Sequence, residues 1–151
     1  MDRIETNRDG GKKWSALVLA GQRPGVDPLA AHFGEVYKAL IPVAGTAMLT
    51  RVLTTLHACP QIARIVVLAQ EQEPLADAII KGGGADFFAS GGGISSSIAA
   101  FLNDSGAAPY PILVTTADHP LLTPDTVAEF TAAASGALSI GMVSRANMLT
   151  H

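Results

Sequence analysis

Three short segments constrain this chain most, because they are apolar almost throughout rather than on alternate residues. They are Ser15-Ala16-Leu17-Val18-Leu19-Ala20, Arg64-Ile65-Val66-Val67-Leu68-Ala69 and Pro111-Ile112-Leu113-Val114-Thr115. A strand with one wet face alternates polar and apolar residues, whereas a continuous apolar run is buried on both faces. Burial on both faces requires a layer of helices on each side of the sheet. The intervening segments supply those helices. Met48, Leu49, Val52, Leu53 and Leu56 share one helical face, with Thr46 as the expected cap. Pro74 to Lys81 reads as a short helix closed by Gly82-Gly83-Gly84. Ile94, Ile98, Phe101 and Leu102 mark a helix starting near Gly93, and Pro124 to Ala134 a helix with proline in its first turn. Asp86-Phe87-Phe88-Ala89 adds a short strand, and Leu138 to Val143 is expected to add a fifth. Residues 21–38 carry Gly21, Pro24, Gly25, Pro28 and Gly34 and are expected to be mainly loop. The expected fold is a three-layer α/β/α sandwich around a mostly parallel, Rossmann-like sheet.

Composition narrows the function. At 151 residues, the chain has one domain's length, with 1–13 expected as a flexible arm and 14–151 as the folded part. Only 15% of residues are charged and 48% are hydrophobic, which excludes a solvated, disordered polymer. Four basic residues, Arg3, Arg8, Lys12 and Lys13, fall in the arm, leaving Arg23, Lys38, Arg51, Arg64, Lys81 and Arg145 for the rest. No basic stripe exists, so nucleic acid is not an expected partner. No apolar run approaches the ~20 residues of a membrane-spanning helix, and Met1 to Lys13 lacks a secretion signal. The single cysteine, Cys59, excludes an internal disulfide framework, and a cytoplasmic location is expected.

In parallel α/β sheets, ligands bind beyond the carboxyl ends of the strands, and three loops there carry candidate chemistry. The first is Leu19-Ala20-Gly21-Gln22-Arg23-Pro24-Gly25. Its glycines allow backbone N–H groups to approach an anion, and Arg23 offers a planar fork suited to phosphate. On these residues alone it is also an ordinary Gly/Pro turn with a solvated arginine. The second, Gly91-Gly92-Gly93-Ile94-Ser95-Ser96-Ser97, opens a helix and could cradle an anion or a base edge, or simply cap that helix. The third, Thr115 to Asp125, puts Asp118 at the end of an apolar strand. One carboxylate suffices for Mg²⁺ when nucleotide phosphates and waters complete its shell, although an aspartate there can equally cap a turn. His119, beside Pro120, reads as structural or solvated.

Taken in order, these loops resemble the nucleotidyltransferase domain of the molybdopterin guanylyl- and cytidylyltransferases and of the sugar-1-phosphate nucleotidyltransferases. That family opens with L-A-[A/G]-G-x-x-x-R-x-G, then a lysine followed by L-x-P-V-x-G-x-P-M-L. Here stand Leu19-Ala20-Gly21, Arg23 and Gly25, then Lys38-Ala39-Leu40-Ile41-Pro42-Val43-Ala44-Gly45-Thr46-Ala47-Met48-Leu49. The family's G-D-x-P-L-[LI]-x-P-[ED] is matched by Ala117-Asp118-His119-Pro120-Leu121-Leu122-Thr123-Pro124-Asp125. The resemblance covers residues 14 to 145. It implies that Leu19, Ala20, Gly21, Arg23 and Gly25 form a triphosphate loop, and that Arg23 and Lys38 neutralise charge during catalysis. It further implies that Gly92, Gly93 and Ser96 face the base, and that Asp118 binds Mg²⁺. The implied partners are a nucleoside triphosphate, GTP or CTP with the base left open by the glycine and serine segment, and a phosphorylated small-molecule acceptor.

Departures from the pattern shape the remaining expectations. The first loop is one residue shorter than the two-alanine form, Arg23 is followed by Pro24, and Tyr37 replaces the proline before the lysine. Family members run past the position of His151 to supply acceptor contacts and a second acidic ligand. An acceptor-binding part is therefore expected to be missing. After Asp125 only Glu129 is acidic, and its helical position points away from the crevice. A non-catalytic nucleotide-binding module is the alternative reading, and a nucleotide-sugar glycosyltransferase a third. An open sheet edge after the last strand admits a second copy, so a homo-dimer is also an expectation.

Overall fold

The computed structural model describes residues 11–104, 110–142 and 144. Four parallel strands form the central sheet: β1 (Trp14–Leu19), β4 (Ile62–Ala69), β5 (Asp86–Ala89) and β6 (Ile112–Thr116), in the spatial order β5-β4-β1-β6. Two-residue strands β2 (Pro42–Val43) and β3 (Thr46–Ala47) form a separate antiparallel hairpin. Its loop, Ala44-Gly45, has positive φ at both residues (50° and 78°), the geometry of a type I′ turn.

Side-chain alternation assigns the two layers. Ala16 and Val18 of β1 and Ile65, Val67 and Ala69 of β4 pack on one face, against α2 (Met48–His57), α3 (Ala76–Lys81) and α5 (Pro124–Ala133). Leu17 of β1 and Val66 and Leu68 of β4 pack on the other, against Phe101, Ile98 and Leu102 of α4 (Ile94–Asn103). Phe88 and Phe101 meet edge-to-face with centroids 5.3 Å apart. The three-layer α/β/α expectation holds. The layer switch follows from right-handed crossovers. From β1 the chain steps outward to β4 and β5 under α2 and α3. It then returns across the sheet through α4 to β6, on the far side of β1. The direction of winding reverses between β1 and β6, so the crevice opens at their carboxyl ends.

Helix α2 is the main core element, with Leu49, Val52, Leu53 and Leu56 fully buried. A Cβ at Gly82, where α3 ends, would lie 2.7 Å from Leu53 Cβ, an atom fixed close to its own backbone. Gly82→Ala is therefore expected to destabilise the fold by about 1–3 kcal/mol through overpacking. Urea unfolding should show the lower midpoint.

Residues 21–38 are mainly loop, as expected, with the short helix α1 (Pro28–His32) inside them, and two other local expectations are corrected. Asp27 Oδ1 accepts from the N–H groups of Leu29 and Ala30, and Pro28 occupies the first helical turn. Thr46 does not cap α2: it pairs in the hairpin, and Ala47 holds the cap position without a side-chain bond. Residues 138–142 form no strand, and Val143 lies outside the described residues. Leu138, Ile140 and Met142 are exposed, and no ladder forms on the outer edge of β6 among the described residues. An apolar run does not become a strand without a pairing partner, and Gly141 further weakens this one. Residues 1–10 of the expected arm also lie outside the described residues, as does Arg145. Among the described residues, no helix is long and apolar enough to cross a membrane.

Candidate functional site

The carboxyl ends of the four strands line up through main-chain hydrogen bonds. Ser90 N–H donates to Ala69 O (2.8 Å), Ala20 N–H to Leu68 O (2.9 Å) and Ala117 N–H to Leu19 O (2.9 Å). This ladder places the start of the Gly91–Gly93 segment, the loop after β1 and the Asp118 loop along one rim. All three candidate loops of the sequence share it.

At the point where the winding reverses, Lys38 Nζ donates to Asp118 Oδ2 at 2.7 Å, joining residues 80 positions apart. Lys38 begins a short 3₁₀ turn, Lys38–Leu40, after Tyr37, a residue only 2% exposed. Burial raises the Tyr37 phenol above its usual value, against a smaller opposing effect of the Glu71 main chain. The buried Tyr37 thus anchors the base of Lys38 where the family pattern has a proline. On the other carboxylate oxygen, Thr116 Oγ1 donates to Asp118 Oδ1 at 2.6 Å. The Lys38 ammonium, and then the Thr116 hydroxyl, hold the Asp118 carboxyl below the ordinary aspartate value of 3.8, against a smaller opposing effect of partial burial.

A carboxyl with a lowered folded value stabilises the fold above the ordinary value, and that contribution is lost as pH falls through the lowered one. The stability difference between wild type and Asp118→Asn should accordingly be present at pH 7 and disappear in strong acid, below the lowered value. Both side chains are about 40% exposed (42% and 39%). Solvent screening keeps the difference below about 1 kcal/mol. Denaturant melts at the two pH values check it.

Helix α2 positions the Asp118 loop. Arg51 Nε donates to Pro120 O (3.2 Å), its Nη1 reaches Val43 O (3.4 Å), and Thr55 Oγ1 donates to Leu122 O (3.0 Å). Beside Asp118, a shallow hollow of about 290 Å³ is lined by His119, Pro120, Leu121 and Leu122. His119 is exposed on its wall.

The loop after β1 is tied to β4. Gln70, the first residue past β4, donates from Nε2 to Gln22 O (2.7 Å), and its Oε1 accepts from Gln22 N–H (3.2 Å). Gly25 turns the loop at φ +100°, a conformation natural only to glycine. Gly21 and Arg23 are exposed on the rim, and the Arg23 side chain makes no hydrogen bond or ion pair among the described residues. In the second loop Gly93 is the N-cap of α4, and Ser96 Oγ donates to Gly93 O at 2.8 Å. A Cβ at Gly92 would collide with that hydroxyl. Ser96 therefore shapes the glycine turn, leaving Gly92 and Gly93 as the accessible backbone. Leu19 ends β1 and Ala20 follows it behind the loop, Ala20 being buried.

The structure thus brings Lys38 into contact with Asp118 and sets Gly21, Arg23, Gly25, Gly92 and Gly93 along the same rim. Sequence reasoning missed Gln70, Arg51, Thr55 and the Thr116 hydroxyl. Gln70, Arg51 and Thr55 act on main-chain atoms far away in sequence, which no local spacing announces, whereas Thr116 acts on Asp118 two residues on.

As for a metal, no group of three His, Cys, Asp or Glu converges among the described residues, so a dedicated cage is absent there. The donor set suits Mg²⁺ arriving with phosphates: one ionised, hard carboxylate at the crevice mouth with lone pairs to spare.

Comparison with known proteins agrees with this geometry. A nucleotidyl transferase from Methanothermobacter thermautotroptrophicus superposes with a TM-score of 0.63 at 20% identity, over 83% of this chain and 60% of that one. A hypothetical transferase from Thermus thermophilus gives 0.61 at 31% identity, over 82% and 47%. The 4-diphosphocytidyl-2C-methyl-D-erythritol synthase of Anaerococcus prevotii gives 0.60 at 17% identity, over 81% and 50%. This chain therefore spans about half to three-fifths of these structures. No curated protein sequence matches it. Residues 16–148 match the MobA-like NTP transferase domain, which is most of the chain, and the chain therefore belongs to that family of nucleotidyltransferases.

Proposed function

We propose that the chain binds a nucleoside triphosphate with Mg²⁺ along the strand-end rim and transfers its nucleotidyl group to a phosphorylated small molecule. The observation that carries this reading is the Lys38–Asp118 contact at the reversal point between β1 and β6. It sets a cation and an ionised carboxylate side by side where a parallel sheet accepts ligands.

In this reading, the backbone N–H groups of the Gly21–Gly25 loop and the Arg23 guanidinium receive the phosphates. Gly92 and Gly93 receive the base. Lys38 leaves Asp118 Oδ2 for a phosphate oxygen, and the freed carboxylate oxygen is the atom that would hold Mg²⁺. When bound, Mg²⁺ would neutralise phosphate charge and polarise the α-phosphate. An acceptor phosphate oxygen attacks the α-phosphorus, the bond from that phosphorus to the bridging oxygen breaks, and pyrophosphate leaves with the electron pair. An acceptor phosphate is already anionic, so no protein base is required. Positioning and the cations Arg23 and Lys38 supply the catalysis.

A thermal-shift series with ATP, GTP, CTP and UTP, with and without Mg²⁺, tests the reading. A ligand that binds only the native state raises the melting temperature according to its affinity. A Mg²⁺-dependent shift for at least one triphosphate is expected, and no shift with any of the four contradicts the proposal. A shift without pyrophosphate release across a panel of phosphorylated acceptors would favour a nucleotide-binding module instead.

A further inference from the structure

The main-chain ladder between β1 and β4 ends where Ala20 N–H donates to Leu68 O. The next rung is a side chain. Gln70 presents its amide edge to the Gln22 backbone, donating to its carbonyl at 2.7 Å and accepting from its N–H at 3.2 Å. Only an amide side chain offers one donor and one acceptor in this fashion, and asparagine is one carbon shorter. The Gln22 side-chain Oε1 is itself buried without a partner among the described residues, so the Gln70 amide supplies the long-range tie that the side chain does not.

Gly21 has a steric reason of its own. A Cβ at that position would lie 3.1 Å from Gln70 Oε1 and 3.4 Å from Nε2, pressing the amide a few tenths of an ångström off its place.

We propose that Gln70 is a positioning residue for the triphosphate: it fixes the backbone of the Gly21–Gly25 loop in the form that receives phosphate. This rests on the nucleotide reading of the site above. Gln70 sets the direction of the Gln22 peptide without itself touching the ligand. Its loss lowers affinity for the phosphates and spares affinity for the base.

The test compares wild type, Gln70→Ala, Gln70→Glu, Gly21→Ala and the Gly21→Ala/Gln70→Ala double variant. Calorimetry measures binding of CTP and GTP with Mg²⁺, and of cytidine and guanosine. Gln70→Ala is expected to weaken triphosphate binding about tenfold, the effect of losing two ordinary hydrogen bonds. Nucleoside binding should be unchanged. Gly21→Ala should do the same, and the double variant should be no weaker than either single one, because both break one clamp. Gln70→Glu keeps the acceptor and loses the donor, so its loss should be at least as large. Triphosphate binding unaffected by Gln70→Ala, an equal loss of nucleoside binding, or additive effects in the double variant would each overturn the proposal.

Amide hydrogen exchange in the ligand-free protein separates this inference from the reading it rests on. Gln22 N–H should exchange faster in Gln70→Ala while the β1 and β4 amides stay protected. If that holds and wild type binds no triphosphate, the clamp stands, but the nucleotide reading falls and with it the clamp's role in binding. If Gln22 exchange is unchanged, the clamp itself is refuted, whatever the protein binds.

Discussion

Asp118→Asn is expected to lower the rate of nucleotidyl transfer by about 100-fold or more while the protein melts almost as wild type does. Asparagine keeps the size of the side chain and an oxygen for the Thr116 hydroxyl, which donates to Oδ1 at 2.6 Å. What it loses is the charge that Lys38 and Thr116 hold in place at the mouth of the crevice. A neutral amide is a poor ligand for a hard divalent cation and leaves the phosphates' charge less balanced. The stability change stays below about 1 kcal/mol, because the Lys38–Asp118 pair is partly solvated. Steady-state pyrophosphate release and a urea melt read the two quantities separately. A variant that transfers at the wild-type rate would remove Asp118 from the site.

Lys38→Met should act with opposite signs on two ligands. The lysine occupies Asp118 Oδ2 at 2.7 Å in the absence of nucleotide, so removing its charge opens that oxygen. Mn²⁺ binding to the nucleotide-free protein, followed by electron paramagnetic resonance, is expected to tighten. Mg²⁺–nucleotide binding is expected to weaken by about 1–3 kcal/mol, because the phosphates lose a charge-assisted partner. Methionine retains most of the apolar stem, so packing around Tyr37 and Ala39 should survive. If both affinities fall together, Lys38 does not occupy a metal position. If neither moves, it has no part in the site.

The layered fold was legible because its signal is local. The β1 and β4 segments are apolar on both faces and cannot be stable in a sheet with one wet side. Asp118 stood out for the same reason: a single carboxylate closing an apolar strand has no packing role. The partner of that carboxylate was not legible from spacing, since Lys38 lies 80 residues away. Only the family resemblance set the two in one site. Helix α1 had a readable start in Asp27-Pro28, a capping residue followed by proline, which the neighbouring glycines obscured. The strand expected at 138–143 failed on a non-local requirement: its apolar content is real, but a strand exists only against a partner. Gln70 was invisible for a related reason. An amide just past a strand has neither charge nor periodicity, and its function depends on the backbone of Gln22 lying beside it.

In the proposed reading, one metal–nucleotide complex lies along the whole strand-end rim, from the Gly92–Gly93 turn past Gly21 to Asp118. Titrating ¹⁵N-labelled protein with Mn²⁺–CTP and Mn²⁺–GTP tests it most directly, since the paramagnetic ion broadens resonances close to it. Broadening should be strongest at residues 116–118, extend to 20–25 and 38, and weaken toward 91–93, and it should disappear when excess Mg²⁺ replaces Mn²⁺. Broadening centred on any other surface, or none at these residues with either nucleotide, would contradict the account.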